Sequence, residues 1–172
     1  MVCARDARER VLAAVERQVA ALVGLVEAHR EAPALARTLT QPAVPSLLGL
    51  RFAVWLDAVL EAAEELSGLS LPAQTGGAAG TAAALTEIAG DPATTLRVQA
   101  RAAELLGLET AWPWHTARRP ISRLGDALAA WTDAWGHLAG DVLLASRAEI
   151  GELAEGVGGG DRKSTRQNSS HR

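Results

Sequence analysis

The sequence predicts an all-α chain, a long-helix bundle, from three observations. Apolar residues recur at spacings of three and four along two long stretches. Most of the 48% hydrophobic content is Ala, Leu and Val, with one Phe, five Trp and no Tyr, a composition that suits helices interlocking through small and branched side chains. Gly and Pro fall between the apolar stretches and act as stops. At 172 residues the chain is long enough for one domain with a core.

The first helix is expected from Ala4 to about Ala32, with Val11, Val15, Val19, Leu22 and Val26 on one stripe and Pro33 ending it. Arg37 to Pro45 reads as a loop, punctuated by Pro42 and Pro45. A second helix is expected from Pro45 or Ser46 to about Leu66, carrying Leu50, Val54, Leu56, Val59 and Leu60. Gly68 and Pro72 mark a connection, and Gly76, Gly77 and Gly80 open a short Ala-rich helix that ends near Gly90. Asp91 followed by Pro92 is an N-cap with a first-turn proline, and Gly107 suits a left-handed cap at the far end of that helix. Glu109 to Pro120 reads as a loop. From Ile121 to Leu153 a last long helix carries Leu124, Leu128, Trp131, Trp135, Leu138, Val142 and Leu143. No stretch reads as a convincing strand.

A formal charge of −3 argues for neither nucleic acid nor a membrane surface as partner. The most apolar segment, Val11 to Val26, is broken by Glu16, Arg17 and Gln18, short of the ~18 residues of a spanning helix. The charged opening (Arg5, Asp6, Arg8, Glu9, Arg10) does not resemble a secretory signal, so a soluble, cytoplasmic protein is expected. A single cysteine, Cys3, leaves no internal disulfide.

The last twelve residues stand apart. The only lysine, Lys163, and the only asparagine, Asn168, fall within residues 161–172, a string that looks like an in-frame sequencing adapter with Gln167 at the one differing position. Residues 1–160 are therefore expected to be the protein, with 13 basic against 19 acidic residues and a net charge of −6, and 161–172 a non-native tail. The alternative is an ordinary polar terminus.

The residues themselves offer little that looks like a metal or phosphate site. There is no His-x-x-x-His pair, no Cys/His cluster, and no Gly-Lys-Ser/Thr after the glycines at 76–80. Those glycines read as a tight turn where backbone approaches something closely. His29 at a helix end complements the helix dipole, and His137 reads as packed or solvent-facing. His115, in a loop beside Thr116, Arg118 and Arg119, is the histidine placed to meet an anionic substrate.

Read in order, the loops resemble the fumarase/aspartase superfamily of lyases, and within it the 3-carboxy-cis,cis-muconate cycloisomerases. Arg37-Thr38-Leu39-Thr40-Gln41-Pro42-Ala43-Val44-Pro45 resembles the family's second signature, and Gln74 to Thr81 its glycine segment. Pro113-Trp114-His115-Thr116 followed by Arg118 is similar to the cycloisomerase Pro-Trp-His-Thr-Gln-Arg-Asp run. Glu149-Ile150-Gly151-Glu152 matches the acidic stretch before the catalytic loop, and Gly158-Gly159-Gly160 sits where the family continues into its serine signature. These matches cover nearly all of residues 4 to 160, so 1–160 is expected to be part of the family's central helical domain.

The resemblance implies a homotetramer, no cofactor or metal, and a small dicarboxylate or tricarboxylate substrate. The reaction implied is lactonisation by proton transfer next to a carboxylate, in protocatechuate catabolism, at a site assembled from several subunits. It implies His115 as a catalytic residue and Thr38, Gln41, Thr116 and Arg118 as substrate contacts. The family's first signature would lie upstream of residue 1, and its base-bearing serine loop falls where the tail stands, so the chain alone is expected to be inactive. Leu39 and Pro42 stand where relatives place histidine, so the resemblance assigns no acid at those positions, and Ala117 and Arg119 replace an expected Gln and Asp. The alternatives are another superfamily lyase, such as adenylosuccinate lyase, and a noncatalytic helical scaffold.

Overall fold

A computed structural model describes residues 1–154, so the glycines at 158–160 and the expected tail at 161–172 lie outside the described residues. The elements are α1 (Val2–Ala28), β1 (Pro33–Thr38), β2 (Gln41–Leu47), α2 (Leu48–Ser67), α3 (Ala83–Ala89), α4 (Pro92–Leu105) and α5 (Arg119–Ala145). The fold is mostly helical, as expected, and among the described residues no helix is long and apolar enough to cross a membrane.

α2 lies between α1 and α5 and supplies most of the core. Phe52, Trp55 and Val59 pack with Leu22 of α1 and Ala134 of α5; further along, Leu66 packs with Leu69, Leu71 and Ala127 of α5, flanked by Met1 and by Ala4 and Val11 of α1. The start of α1 thus meets the end of α2, and the start of α5 does the same, so both neighbours run antiparallel to α2. The small residues Ala62, Ala63, Ala127 and Ala134 are buried at these contacts and let the helix axes approach.

The buried face of α2 differs from the stripe read from spacing. Val59 is buried, but Leu50, Val54 and Leu60 are exposed, and Phe52, Trp55, Ala62, Ala63 and Leu66 face inward instead. α2 is apolar around most of its circumference, so periodicity cannot say which side meets α1 and α5. α5 shows the same ambiguity, with Leu128, Val142 and Leu143 exposed while Ala127 and Ala134 are buried.

Three boundaries are corrected. α1 stops at Ala28, before Pro33, with His29 as its cap residue and the His29 ring edge-on to Phe52 at 5.6 Å. The stretch expected as a loop from Arg37 to Pro45 is instead part of an antiparallel hairpin of β1 and β2, and α2 begins only at Leu48. In a two-stranded sheet every strand has an open edge, so Pro42 and Pro45 are tolerated despite lacking an N–H. The two-residue turn Leu39-Thr40 has positive φ at both positions (48° and 66°), as a tight hairpin of this kind requires, without the usual glycine or asparagine. Finally, α5 ends at Ala145, not at Leu153. Residues 147–151 turn back on themselves (Ile150 and Gly151 both donate to the Arg147 carbonyl), and Gly151 adopts φ of 60°.

Other expectations hold. Asp91 caps α4, its carboxylate accepting from the Thr94 N–H at 2.9 Å and the Thr94 hydroxyl at 2.6 Å. Gly107 follows α4 in the left-handed conformation, and Gly90 ends α3 in the same way. His137 is largely exposed, its Nε2 3.6 Å from Asp141.

Because α2 carries both core patches, truncating it is expected to be costly. Leu66→Ala should destabilise the chain by about 2–5 kcal/mol, read as a fall in urea midpoint. A loss under about 1 kcal/mol would mean that Leu66 is not packed as described.

Candidate functional site

The predicted site residues form two groups, one at each end of α2. Thr38 and Gln41 flank the hairpin turn, pair with each other across the strands, and are exposed. They do not cap a helix; the residue before α2 is Leu47, which makes no side-chain cap bond. His115, Thr116 and Arg118 lie just before α5, at the other end of the bundle. The 20 residues of α2 put about 30 Å of helix between the two ends. A single copy of the chain therefore does not bring all five residues to one substrate.

The group around His115 is built from two loops held together at their bases. Ala73 donates to the Glu109 carbonyl at 2.9 Å and Glu109 to the Leu71 carbonyl at 3.1 Å, pairing the start of the glycine segment with the start of the His115 loop. Gln99 of α4 ties the segment further by donating from Nε2 to the Thr75 carbonyl at 3.2 Å. The two loops then touch where only glycine fits. A Cβ on Gly76 would stand 2.7 Å from the Pro113 Cβ, and one on Gly80 3.0 Å from the His115 Cβ. The close approach read from the sequence is thus met by the Pro113–His115 loop itself.

His115 is held in an uncommon conformation, with φ of 31°, and its Nε2 lies 2.6 Å from the Ala78 carbonyl oxygen. A carbonyl only accepts, so Nε2 carries the proton, and in the neutral ring Nδ1 holds the lone pair. No hydrogen bond to Nδ1 is made among the described residues. Two further donors at this junction have no partner among the described residues: the buried Trp114 Nε1 and the Gln74 Nε2, whose amide oxygen accepts from the Gly76 N–H at 2.9 Å. Thr116 and Arg118 are exposed, Arg118 is the N-cap residue of α5, and its guanidinium has no ion-pair partner among the described residues.

At the opposite end, the structure adds a charge cluster that spacing could not reveal. Glu152 accepts from Arg37 Nη1 at 2.7 Å and from Arg51 Nη1 at 2.8 Å, pairs separated by 115 and 101 residues. A cavity of about 240 Å³ opens beside it, lined by Arg37, Ser46, Arg51, Asp141 and Ala145. Burial pushes the Glu152 carboxyl up, but hydrogen bonds from Arg37 and Arg51 and their two charges outweigh it and hold the group below its ordinary value. The residues were in stretches singled out from the sequence; their pairing was not. Among the described residues no group of His, Cys, Asp and Glu could hold a metal ion.

Two measurements test this geometry. Gly76→Ala is expected to destabilise the chain by about 1–3 kcal/mol, since two packed loops must separate, whereas Gly125→Ala, in open space on α5, should stabilise by up to about 1 kcal/mol. Equal effects in urea unfolding would contradict the close contact. For Glu152, a depressed carboxyl contributes stability above its ordinary pKa of about 4.3 and loses it as pH falls through the lower folded value. The stability gap between the wild-type chain and Glu152→Gln should therefore be full at neutral pH and close in that acidic window. A gap that does not change there would remove the ion pairs from the account.

Comparison with known proteins agrees with this architecture. The lyase family matches residues 1–156. The chain is 39% identical over 160 residues to nitrosuccinate lyase of Streptomyces davaonensis, covering 90% of this chain and 34% of that protein. It is 35% identical over 164 residues to 3-carboxy-cis,cis-muconate cycloisomerase of Bradyrhizobium diazoefficiens, covering 93% and 35%. Among solved structures, the 3-carboxy-cis,cis-muconate lactonizing enzyme of Pseudomonas putida superposes with a TM-score of 0.76 at 29% identity, over 86% of this chain and 33% of that one. The chain spans about a third of the length of these relatives. With a family match over nearly its whole length and long helices in the same arrangement, the chain belongs to the fumarase/aspartase superfamily of lyases.

Proposed function

We propose that this chain is part of an enzyme that moves a proton next to a substrate carboxylate, with 3-carboxy-cis,cis-muconate as substrate and lactonisation as the reaction. The observation that carries the reading is His115, anchored to the glycine segment through Nε2, with no hydrogen bond to Nδ1 among the described residues. In lactonisation a substrate carboxylate oxygen forms a bond to an alkene carbon, the alkene electron pair moves onto a neighbouring carboxylate, and a proton then reaches the adjacent carbon. Arg118 and Thr116 would hold the carboxylate that takes up the charge, and His115, protonated, would supply the proton. Thr38 and Gln41, whose side chains make no hydrogen bond among the described residues, would bind a second carboxylate.

Since these groups lie at opposite ends of α2, the site is complete only when another copy brings its hairpin to the His115 end. The apolar residues left exposed on α2 and α5, among them Leu50, Val54, Leu128 and Leu143, support such assembly into a homotetramer. The chain alone is accordingly inactive. A second reading, elimination of a leaving group from a dicarboxylate, is favoured by the 39% identity to nitrosuccinate lyase.

The test is a chimera in which residues 1–154 replace the matching segment of the Pseudomonas putida enzyme. Turnover of 3-carboxy-cis,cis-muconate is expected, with kcat/KM falling at least ~100-fold in His115→Gln and Arg118→Ala and ~10-fold in Thr38→Val. Release of nitrite from nitrosuccinate without cycloisomerisation would select the second reading. An assembled chimera indifferent to His115→Gln would overturn the proposed role of this histidine.

A further inference from the structure

The hairpin that carries Thr38 and Gln41 has little of its own to hold it in place. Two strands without a third are marginal in water. Two of its five cross-strand pairs, Leu35 with Pro45 and Arg37 with Pro42, place on β2 a proline, which has no N–H to offer on either side of the strand. The register also shifts between Leu35 and Arg37, where β2 carries an extra residue and the ladder bends. The turn itself has two non-glycine residues at positive φ. At the base, Leu48 donates to the Ala32 carbonyl and Gly49 to the His29 carbonyl, both at 2.9 Å, which fixes where the hairpin starts but not where its tip lies.

What reaches the tip is Glu152. Its two carboxylate oxygens divide between Arg37, the residue next to Thr38, and Arg51, in the first turn of α2. Both guanidiniums also donate to the Leu35 carbonyl, at 3.2 and 3.3 Å, closing a ring over the shifted register. All three charged side chains are largely buried, with 15–21% of each exposed, so water screens these bonds less than a surface pair. Glu152 arrives there because α5 stops at Ala145: the Glu152 and Leu153 N–H groups both donate back to the Ala145 carbonyl, and Gly151 makes the left-handed step.

We propose that Glu152 is a positioning residue, a clamp that sets the hairpin bearing Thr38 and Gln41 by bridging Arg37 to the first turn of α2. The early end of α5 then has a purpose: a helix continued to Leu153 would carry this carboxylate away from the hairpin. The functional weight of the clamp rests on the reading of Thr38 and Gln41 as substrate contacts.

Hydrogen exchange on the full chain, read by mass spectrometry without any ligand, tests it. In Glu152→Gln the amides of residues 33–47 should exchange about tenfold faster while those of residues 52–66 stay within about twofold. A merely structural loss would loosen both, and that result, or an unchanged hairpin, overturns the clamp. If Glu152→Gln does not fold, Arg37→Gln must produce the same local acceleration, and an unchanged hairpin there overturns it equally. In an Arg37→Gln/Arg51→Gln background, Glu152→Gln should add no further loosening; additive effects would show that it acts elsewhere. Because no substrate enters, failure here is distinct from failure of the substrate reading, which the Thr38→Val chimera decides.

Discussion

Burial of α2 on two sides is the interaction on which the rest of the structure depends. Val59 and Leu66 are fully buried, and Phe52 and Trp55 nearly so, between α1 on one side and α5 on the other. Each fully buried aliphatic or aromatic side chain of this kind contributes on the order of 1.5–3 kcal/mol. Trp55 also donates from Nε1 to the Asp141 carboxylate at 2.8 Å, a polar bond at the edge of the core that sets how far α5 slides along α2. With that register set, the position of everything at either end follows: the hairpin and Glu152 at one end, the glycine segment and His115 at the other.

That arrangement imposes a constraint on function. Rods are good at holding loops apart and poor at bringing their own two ends together. On the proposed function, chemistry split between the ends of a three-helix unit is completed only by a second copy that brings its opposite end alongside. The exposed aliphatic residues on α2 and α5 fit this demand. They lie on the two helices that also form the intrachain core, so the same apolar cylinders serve packing within one copy and leave surface for packing between copies.

The two ends also differ in how they are held. Around His115, loop meets loop with so little clearance that glycine is required at two positions, and a histidine adopts positive φ to make its bond to Ala78. Such strain persists where surrounding contacts over-determine the conformation. Around Thr38 and Gln41 the backbone is looser and proline-interrupted, and charge replaces steric fit as the restraint. One end is set by shape, the other by a carboxylate shared between two arginines.

Much of this was legible in the sequence because it is local. Helix existence follows from spacing, the cap of α4 from Asp91 and Pro92, its far end from Gly107, and the need for a close approach from the glycines at 76–80. The ordered loop stretches were enough to recognise the superfamily and to name His115, Thr116 and Arg118 as neighbours in one loop. Other features depend on partners distant in sequence. Pro42 and Pro45 read as loop because proline in a strand is acceptable only on an edge strand, which is a property of the sheet and not of the residue. The inward face of α2 was undetermined because an all-round apolar helix carries no directional signal. α5 ends eight residues early with no proline to stop it; the turn that follows is closed by bonds back to the Arg147 and Ala145 carbonyls and brings Glu152 to Arg37 and Arg51 across more than a hundred residues. The sequence by itself thus determined which segments are helical, where several of them end and which superfamily the chain belongs to. Only the tertiary structure decided which faces are buried and which charges meet, and that the two halves of the candidate site stand at opposite ends, because each is a relation between residues that nothing in the local chain encodes.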